Sequence, residues 1–155
     1  MKLTVGFQQS IVMIVLIATQ EKQEGLNIGV ISSQMKIKES YLRKLASKLV
    51  KAQLLNSSRN RYSGYTLNKQ PSEISLLDIF NAIEGEESFL SYTNTIQKTF
   101  SGLQEELVAE KMEEVLVLLN QAEIDYRKKL QTYTLEQLLS NEKGFPFTNW
   151  IELNK

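Results

Sequence analysis

The sequence predicts a mainly α-helical chain with one small β-hairpin, and three stretches predict it. In Lys38–Ala52 the residues Tyr41, Leu42, Leu45, Leu49 and Ala52 recur at three- and four-residue steps, so they share one face of a helix. Next come two β-compatible runs, Leu54–Ser58 and Gly64–Leu67, parted by the polar turn Arg59-Asn60-Arg61-Tyr62-Ser63. Further on, a helix is expected from about Ile96 to Gln131. Within it Val108, Met112, Val115, Leu119, Ala122 and Tyr126 follow four-three-four-three-four spacing, the seam of a helix that packs along another. Together these read as a winged helix-turn-helix domain at 1–84, a loop and long dimerisation helix at 85–140, and a tail at 141–155.

The first element, from about Val5 to Glu21, contains the apolar run Ile11–Ala18. Eight residues fall far short of the roughly 20 that span a bilayer, so no membrane insertion is expected. Lys2 before the run invites a signal-peptide reading, but Gln8-Gln9 intervene and no small-residue cleavage pattern follows. A helix apolar all round is expected to be buried on several sides. Gln20–Asn27 reads as a loop, with Gly25 a plausible helix stop.

Ile28–Met35 is a short helix, and the turn Met35-Lys36-Ile37 joins it to the basic one. There Lys38, Arg43, Lys44, Lys48 and Lys51 fall mostly off the apolar face, with Glu39 the only acid. A short helix, tight turn and basic amphipathic helix is the pattern whose second helix enters the DNA major groove. Taken alone, such a helix is as readily a solvated lysine face. The following hairpin shifts the balance, because Arg59 and Arg61 at its tip suit a narrow minor groove, where negative potential is strongest.

Pro71-Ser72-Glu73 opens the next helix with Ser72 as its expected N-cap. Leu76, Leu77, Phe80 and Ile83 line it and Gly85 ends it. The loop that follows carries Glu86 and Glu87 close to Glu84, and three such carboxylates are more often solvated than metal-bound. In the long helix Phe100, Leu103 and Leu107 extend the seam with a slight phase shift, and Glu105, Glu106, Glu110, Glu113 and Glu114 make the opposite face acidic. A helix of this length with one apolar stripe is most simply satisfied by a second chain. The tail holds an apolar cluster, Phe145-Pro146-Phe147 and Trp150-Ile151, with no assigned place.

Composition removes whole classes of function. The 155 residues include no cysteine and no histidine, so disulfides, thiolate metal sites and Ser-His or Cys-His catalysis are impossible. No pair of carboxylates is placed to suggest an enzyme, and no cofactor or metal is expected. Net charge is zero, yet residues 1–70 hold eleven Lys/Arg against three acids, while 71–155 hold seven against fifteen. A basic head followed by an acidic body points to a polyanion bound at one end only.

The chain resembles the Rrf2 family of bacterial transcription regulators. The resemblance runs from Met1-Lys2-Leu3-Thr4 through Ser40-Tyr41-Leu42, Leu45, Leu49, Lys51-Ala52, Leu54, Arg59 and Gly64-Tyr65. Its most specific part is Ile74-Ser75-Leu76-Leu77-Asp78-Ile79 with Ala82-Ile83-Glu84-Gly85, and it ends at Thr134–Leu139. It implies a homodimeric, cytoplasmic, winged-helix DNA-binding protein, most often a repressor, in which the first helix lies between the winged helix and the partner's long helix. It also implies that Lys38, Ser40, Tyr41, Arg43, Lys44 and Lys48 of the helix, and Arg59, Arg61 and Tyr62 of the wing, meet double-stranded DNA. Three departures matter. The turn at Lys36 lacks the usual glycine or asparagine, and a lysine at positive φ costs about 1 kcal/mol. The wing tip has lost its glycines except Gly64. The cysteines that hold an iron–sulfur cluster in relatives are missing, which leaves a small ligand, a partner protein or no effector as the signal. A winged-helix module that binds protein and has lost DNA binding is the runner-up.

Overall fold

The computed structural model describes residues 3–21, 24–58, 64–91, 93, 95–102, 105–140 and 145–155, with the side chain of Gln97 excepted. They fall into two compact units, Lys2–Glu86 together with Leu130–Lys155, and Glu87–Lys129. The division differs from the one expected at 84/85 and 140/141. The last 26 residues belong with the head instead of forming a separate tail.

In the first unit α1 spans Val5–Ala18, three residues shorter than expected. Thr19 ends it, its hydroxyl donating back to the Val15 carbonyl at 2.8 Å. Burial of α1 is broad but incomplete: Phe7, Met13, Ile14, Val15 and Ile17 are buried, while Val5 and Val12 share an exposed edge. Helix α2 covers Ile28–Met35, capped by the Asn27 side chain, which accepts from the Val30 amide at 2.9 Å. Lys36 then takes the left-handed conformation, φ 56° and ψ 39°. Ser32 closes this turn. Its carbonyl accepts from the Lys36 and Ile37 amides and its hydroxyl donates to the Ile37 carbonyl at 2.6 Å. That geometry needs a positive φ whatever residue stands there, so the strain anticipated for Lys36 is present.

Helix α3, Glu39–Lys51, buries Leu42, Leu45, Ala46 and Leu49. The expected stripe was one position off at its margins: Tyr41 and Ala52 are exposed, and Ala46 takes their place. At about 100° per residue those two stand roughly 90° from the centre line of the stripe, at its edge. Each buried leucine is worth about 1.5–3 kcal/mol, so α3 is held firmly by its inner face. Past it, Gln53 at φ 59° and the Leu54 amide bonded to the Leu49 carbonyl turn the chain into the hairpin.

Strands β1, Leu55–Ser58, and β2, Gly64–Leu67, pair antiparallel with Leu55 opposite Leu67 and Ser58 opposite Gly64. The loop expected at Gln20–Asn27 does more than connect. Leu26 pairs with Tyr65 through two backbone bonds of 3.1 and 2.8 Å, extending the hairpin by a third segment. Gly64 permits this, since a Cβ there would lie 2.6 Å from the backbone of Gly25 and Leu26.

A single turn of 3₁₀-helix, Pro71–Glu73, precedes α4, Leu76–Glu84. The N-cap of α4 is Ser75, not Ser72. Its hydroxyl accepts from the Asp78 amide while the Asp78 carboxylate accepts from the Ser75 amide at 2.8 Å, a reciprocal cap. Ile79, Phe80 and Ile83 are the buried face, with Leu76 and Leu77 half-buried, and Phe80 meets Phe7 edge-on at 5.5 Å. Ile74–Leu76 pairs with Tyr133–Leu135, so α7, Leu135–Leu139, returns to this core. The short α8, Trp150–Leu153, is fastened to the end of α1. Buried Gln20 accepts from the Trp150 amide at 3.0 Å, and the Trp150 indole donates to the Thr19 hydroxyl at 3.1 Å. This assigns a place to Trp150 and Ile151, whereas Phe145 and Phe147 remain exposed.

The second unit holds α5, Thr95–Thr99, and most of α6, Glu105–Gln131. One helix from about Ile96 was expected; the chain breaks at Gly102, φ 82°, whose amide donates to the Glu105 carboxylate at 2.8 Å. Phe100 therefore lies before the break and is no part of the long helix, and Leu103 lies outside the described residues.

Candidate nucleic-acid interface

On α3 the solvent face follows from the buried one. With Leu42, Leu45, Ala46 and Leu49 inward, the residues diametrically opposite are Ser40, Lys44, Ser47 and Lys51, and all four are exposed. Arg43 flanks this ridge. Its guanidinium pairs with Glu39 at 3.1 Å across one turn, both side chains about half exposed. Such a pair is worth about 0.3–0.5 kcal/mol, too little to hold the arginine against a phosphate or a base. Lys38 is exposed at the N-terminus of the helix.

Two of the expected contacts sit on the flanks. The Lys48 ammonium donates to the Ile83 carbonyl at 2.7 Å, at the C-terminal turn of α4, where a cation is favoured. Tyr41 is 39% exposed and its hydroxyl lies close to Gly6 of α1, where a Cβ would come within 3.2 Å of it. The Lys48 bond fastens α3 to α4, and the Tyr41 hydroxyl lies against α1. Ser47 and Lys51 are the positions the sequence reading passed over as contacts. Their signal was the polar spacing Ser40, Lys44, Ser47, Lys51, every third or fourth residue. Arg59, Arg61 and Tyr62 lie outside the described residues. The strands that flank them are in place.

The expected dimer seam divides in two. No residue of α6 is buried. Val108, Met112 and Tyr126 are half-buried, the first two with Ile96 and Phe100 around a cleft, the third edge-on to Phe89 at 5.6 Å. Val115, Leu119 and Ala122 face solvent, joined there by Leu107 and Leu118, which is 69% exposed. The uncovered apolar stripe is thus rotated from the expected one, because the chain's own segment before α6 covers part of the original seam.

That segment is clasped to the helix. The Glu123 carboxylate accepts from the Ser88 hydroxyl at 2.6 Å, the Phe89 amide at 3.1 Å and the Arg127 side chain at 2.9 Å. These donors, the Ser88 hydroxyl foremost, hold the Glu123 carboxyl below the usual carboxylate range, against the opposing effect of burial. Arg127 in turn donates to the Glu87 carbonyl at 2.8 Å and lies over the Phe89 ring at 5.0 Å.

With this geometry in view, a model of the Rrf2 family, described as an iron-dependent transcriptional regulator, matches residues 3–141. The chain belongs to the Rrf2 family. It is 32% identical over 102 residues to YwgB, a candidate HTH-type transcriptional regulator of Bacillus subtilis, covering 66% of this chain and 65% of that one. To YffB of Lactococcus lactis, a protein of the same description, it is 34% identical over 85 residues, 55% of this chain and 54% of that one. Each match thus spans less than two thirds of the relative's length. In three dimensions it is similar to the oxidised form of Staphylococcus aureus CymR, with a TM-score of 0.63 at 22% identity, over 91% of this chain and 98% of that one. That likeness establishes the winged-helix fold.

An Rrf2 chain described through iron needs donors for it. This one offers no thiolate and no imidazole at any position, the ligands that hold iron–sulfur clusters. Among the described residues no three carboxylates gather into a metal-holding group, and Glu84 accepts from the Thr4 hydroxyl. The residues present do not fit the family's metal. Among the described residues no helix is long and apolar enough to cross a membrane.

Proposed function

We propose that this Rrf2 protein is a homodimeric, sequence-reading DNA-binding regulator, a repressor that works in a bacterial cytoplasm without an iron–sulfur cluster. The observation that carries the proposal is the outward ridge of α3. Ser40, Lys44, Ser47 and Lys51 stand in one line with Arg43 beside them, on a helix anchored by four buried residues. A rigid helix with cations and hydroxyls in a row suits both phosphate contacts, which position the protein, and donor contacts to guanine O6 and N7, which read sequence. Lys38 is exposed at the N-terminus of α3, the end that approaches base edges, and Arg59, Arg61 and Tyr62 belong to the wing that would follow the backbone. Lys48 and Tyr41 are assigned to holding α3 in place.

Support for the homodimer comes from the uncovered stripe of Leu107, Val115, Leu118, Leu119 and Ala122. Two copies joined there would present two α3 ridges to two half-sites, and a dimer seated on promoter DNA represses by occupancy. The test is affinity for fragments retained from the protein's own genome, measured at 50 and 200 mM salt together with the mass in solution. A dimer that loses at least a hundredfold in affinity between the two salt concentrations is expected. Binding to a protein partner with no salt-dependent DNA affinity would favour the interaction-module reading instead.

A further inference from the structure

The cleft between α5 and α6 borders the uncovered stripe, since its walls Val108 and Met112 lie at helical spacing beside Val115 and Leu119. Its volume is about 930 Å³. Small-molecule sites are typically about 300–1,000 Å³, mostly apolar, with a few polar groups that fix orientation. Here the apolar walls are Ile96 and Phe100 on one side and Val108, Met112 and Leu116 on the other. Phe100 is 44% exposed, so water reaches a ring that gains from being covered.

The polar lining is of one sign. Glu105 and Glu113 border the cleft with the hydroxyls of Ser91 and Thr93, and no Lys or Arg is among the described residues that line it. One Glu105 oxygen is already used by the Gly102 amide. Glu113 has no hydrogen bond or ion pair among the described residues. An apolar slot with an acidic border is complementary to a molecule that is apolar along its body and positive at one end.

We infer that this cleft binds a small amphipathic cation, an aliphatic or aromatic amine. Its body lies along Phe100, Met112 and Leu116, with Met112 adapting to its shape, and its ammonium meets Glu113 and the second oxygen of Glu105. A neutral molecule of the same shape gains the apolar contact alone, and an anion is repelled. Occupancy ties α5 to α6, the helix whose uncovered stripe runs beside the cleft. Through that helix the amine would act on dimer formation and so on DNA, a consequence that rests on the regulator reading above.

Calorimetry on the full chain decides it with three probes of one shape: 4-phenylbutylamine, 4-phenylbutan-1-ol and 4-phenylbutyrate. The amine is expected to bind at least tenfold more tightly than the alcohol, and the carboxylate not at all. Glu113→Gln should weaken the amine at least threefold, Glu105 retaining part of its preference, and leave the alcohol unchanged. Phe100→Ala should weaken both alike. Raising salt from 50 to 500 mM should weaken the amine only. Equal affinity of amine and alcohol overturns the inference. So does an unchanged amine affinity in Glu113→Gln, or no binding of any probe at millimolar concentration, the result expected if a second copy fills the cleft. DNA is absent from the measurement, so its failure leaves the DNA-binding proposal standing, and a failure of that proposal leaves this result readable.

Discussion

Helix α3, with 13 residues, hides four on its inner face, whereas α6, with 27, hides none. Both are amphipathic, but their stripes meet different fates. Leu42, Leu45, Ala46 and Leu49 find partners inside the chain, so the position of α3 is settled by one copy. Leu118 and Leu119 stay 69% and 42% exposed, on a helix too long for its small unit to cover. The contrast separates a helix held within one copy from a helix whose apolar stripe one copy leaves uncovered.

The largest effects should come from breaking each stripe in turn. Leu49→Ala removes a side chain that is fully buried, and should cost about 2–5 kcal/mol at every protein concentration. Leu119→Lys should behave otherwise. It introduces a charge where two copies would meet, so the dimer should dissociate at micromolar protein while the isolated chain keeps its helical circular dichroism. Sedimentation and thermal melts at two concentrations separate the cases. If Leu119→Lys stayed dimeric and bound DNA normally, the stripe on α6 would have some other role.

Next in size is the split between reading and holding on α3. Arg43→Ala should cost roughly 1–3 kcal/mol on the cognate site and relax the preference at one base pair per half-site. Lys51→Ala, farther along the ridge, should weaken all sequences alike and flatten the salt dependence. Lys48→Ala should lower stability, since the Ile83 carbonyl loses its donor, with base preference unchanged. Affinities against single-base operator variants at two salt concentrations, set beside melting curves, decide between them. A change of base preference in Lys48→Ala would return that residue to the groove.

The comparison also marks how far the sequence could be read. Periodicity placed α2, α3 and the hairpin within a residue or so, because short-range steric and hydrophobic rules determine them. Contacts between distant residues were out of its reach. Nothing local says that Gly64 must lie against Gly25 and Leu26, or that Gln20 will accept from Trp150, 130 positions away. The same limit explains the seam on α6. Spacing identified an apolar stripe, but which half of it the chain would cover depended on where Phe89, Ile96 and Phe100 folded. The bond from the Lys48 ammonium to the Ile83 carbonyl was out of reach for the same reason, since one-dimensional spacing cannot see the carbonyl end of α4.

A smaller effect bears on the rigidity of the head. Lys36 holds a left-handed conformation that glycine adopts without steric cost. Lys36→Gly should therefore raise stability by about 0.5–1 kcal/mol, the relief of strain being partly offset by the greater freedom of the unfolded chain. Denaturant midpoints report it. A loss of stability would mean that the lysine side chain holds the turn through contacts of its own.

The smallest effect is confined to the clasp on α6. In the folded chain the Glu123 carboxyl is held below its ordinary value of 4.5, with the Ser88 hydroxyl the largest cause and Arg127 and the Phe89 amide adding to it. A carboxyl with a lowered folded pKa favours the fold when ionised. Its contribution is complete above the unfolded value and is lost as pH falls through the folded one. The clasp should thus be intact at neutral pH and loosen only below about pH 4.5. The amide resonance of Phe89, which donates to this carboxylate at 3.1 Å, should titrate with a midpoint under that value. In Glu123→Gln it should stay flat, because a carboxamide oxygen can still accept but does not ionise. A wild-type midpoint above 4.5 would show that burial outweighs the three donors, and the segment before α6 would then be held by the ring contacts of Phe89 and the bond from Arg127 to the Glu87 carbonyl.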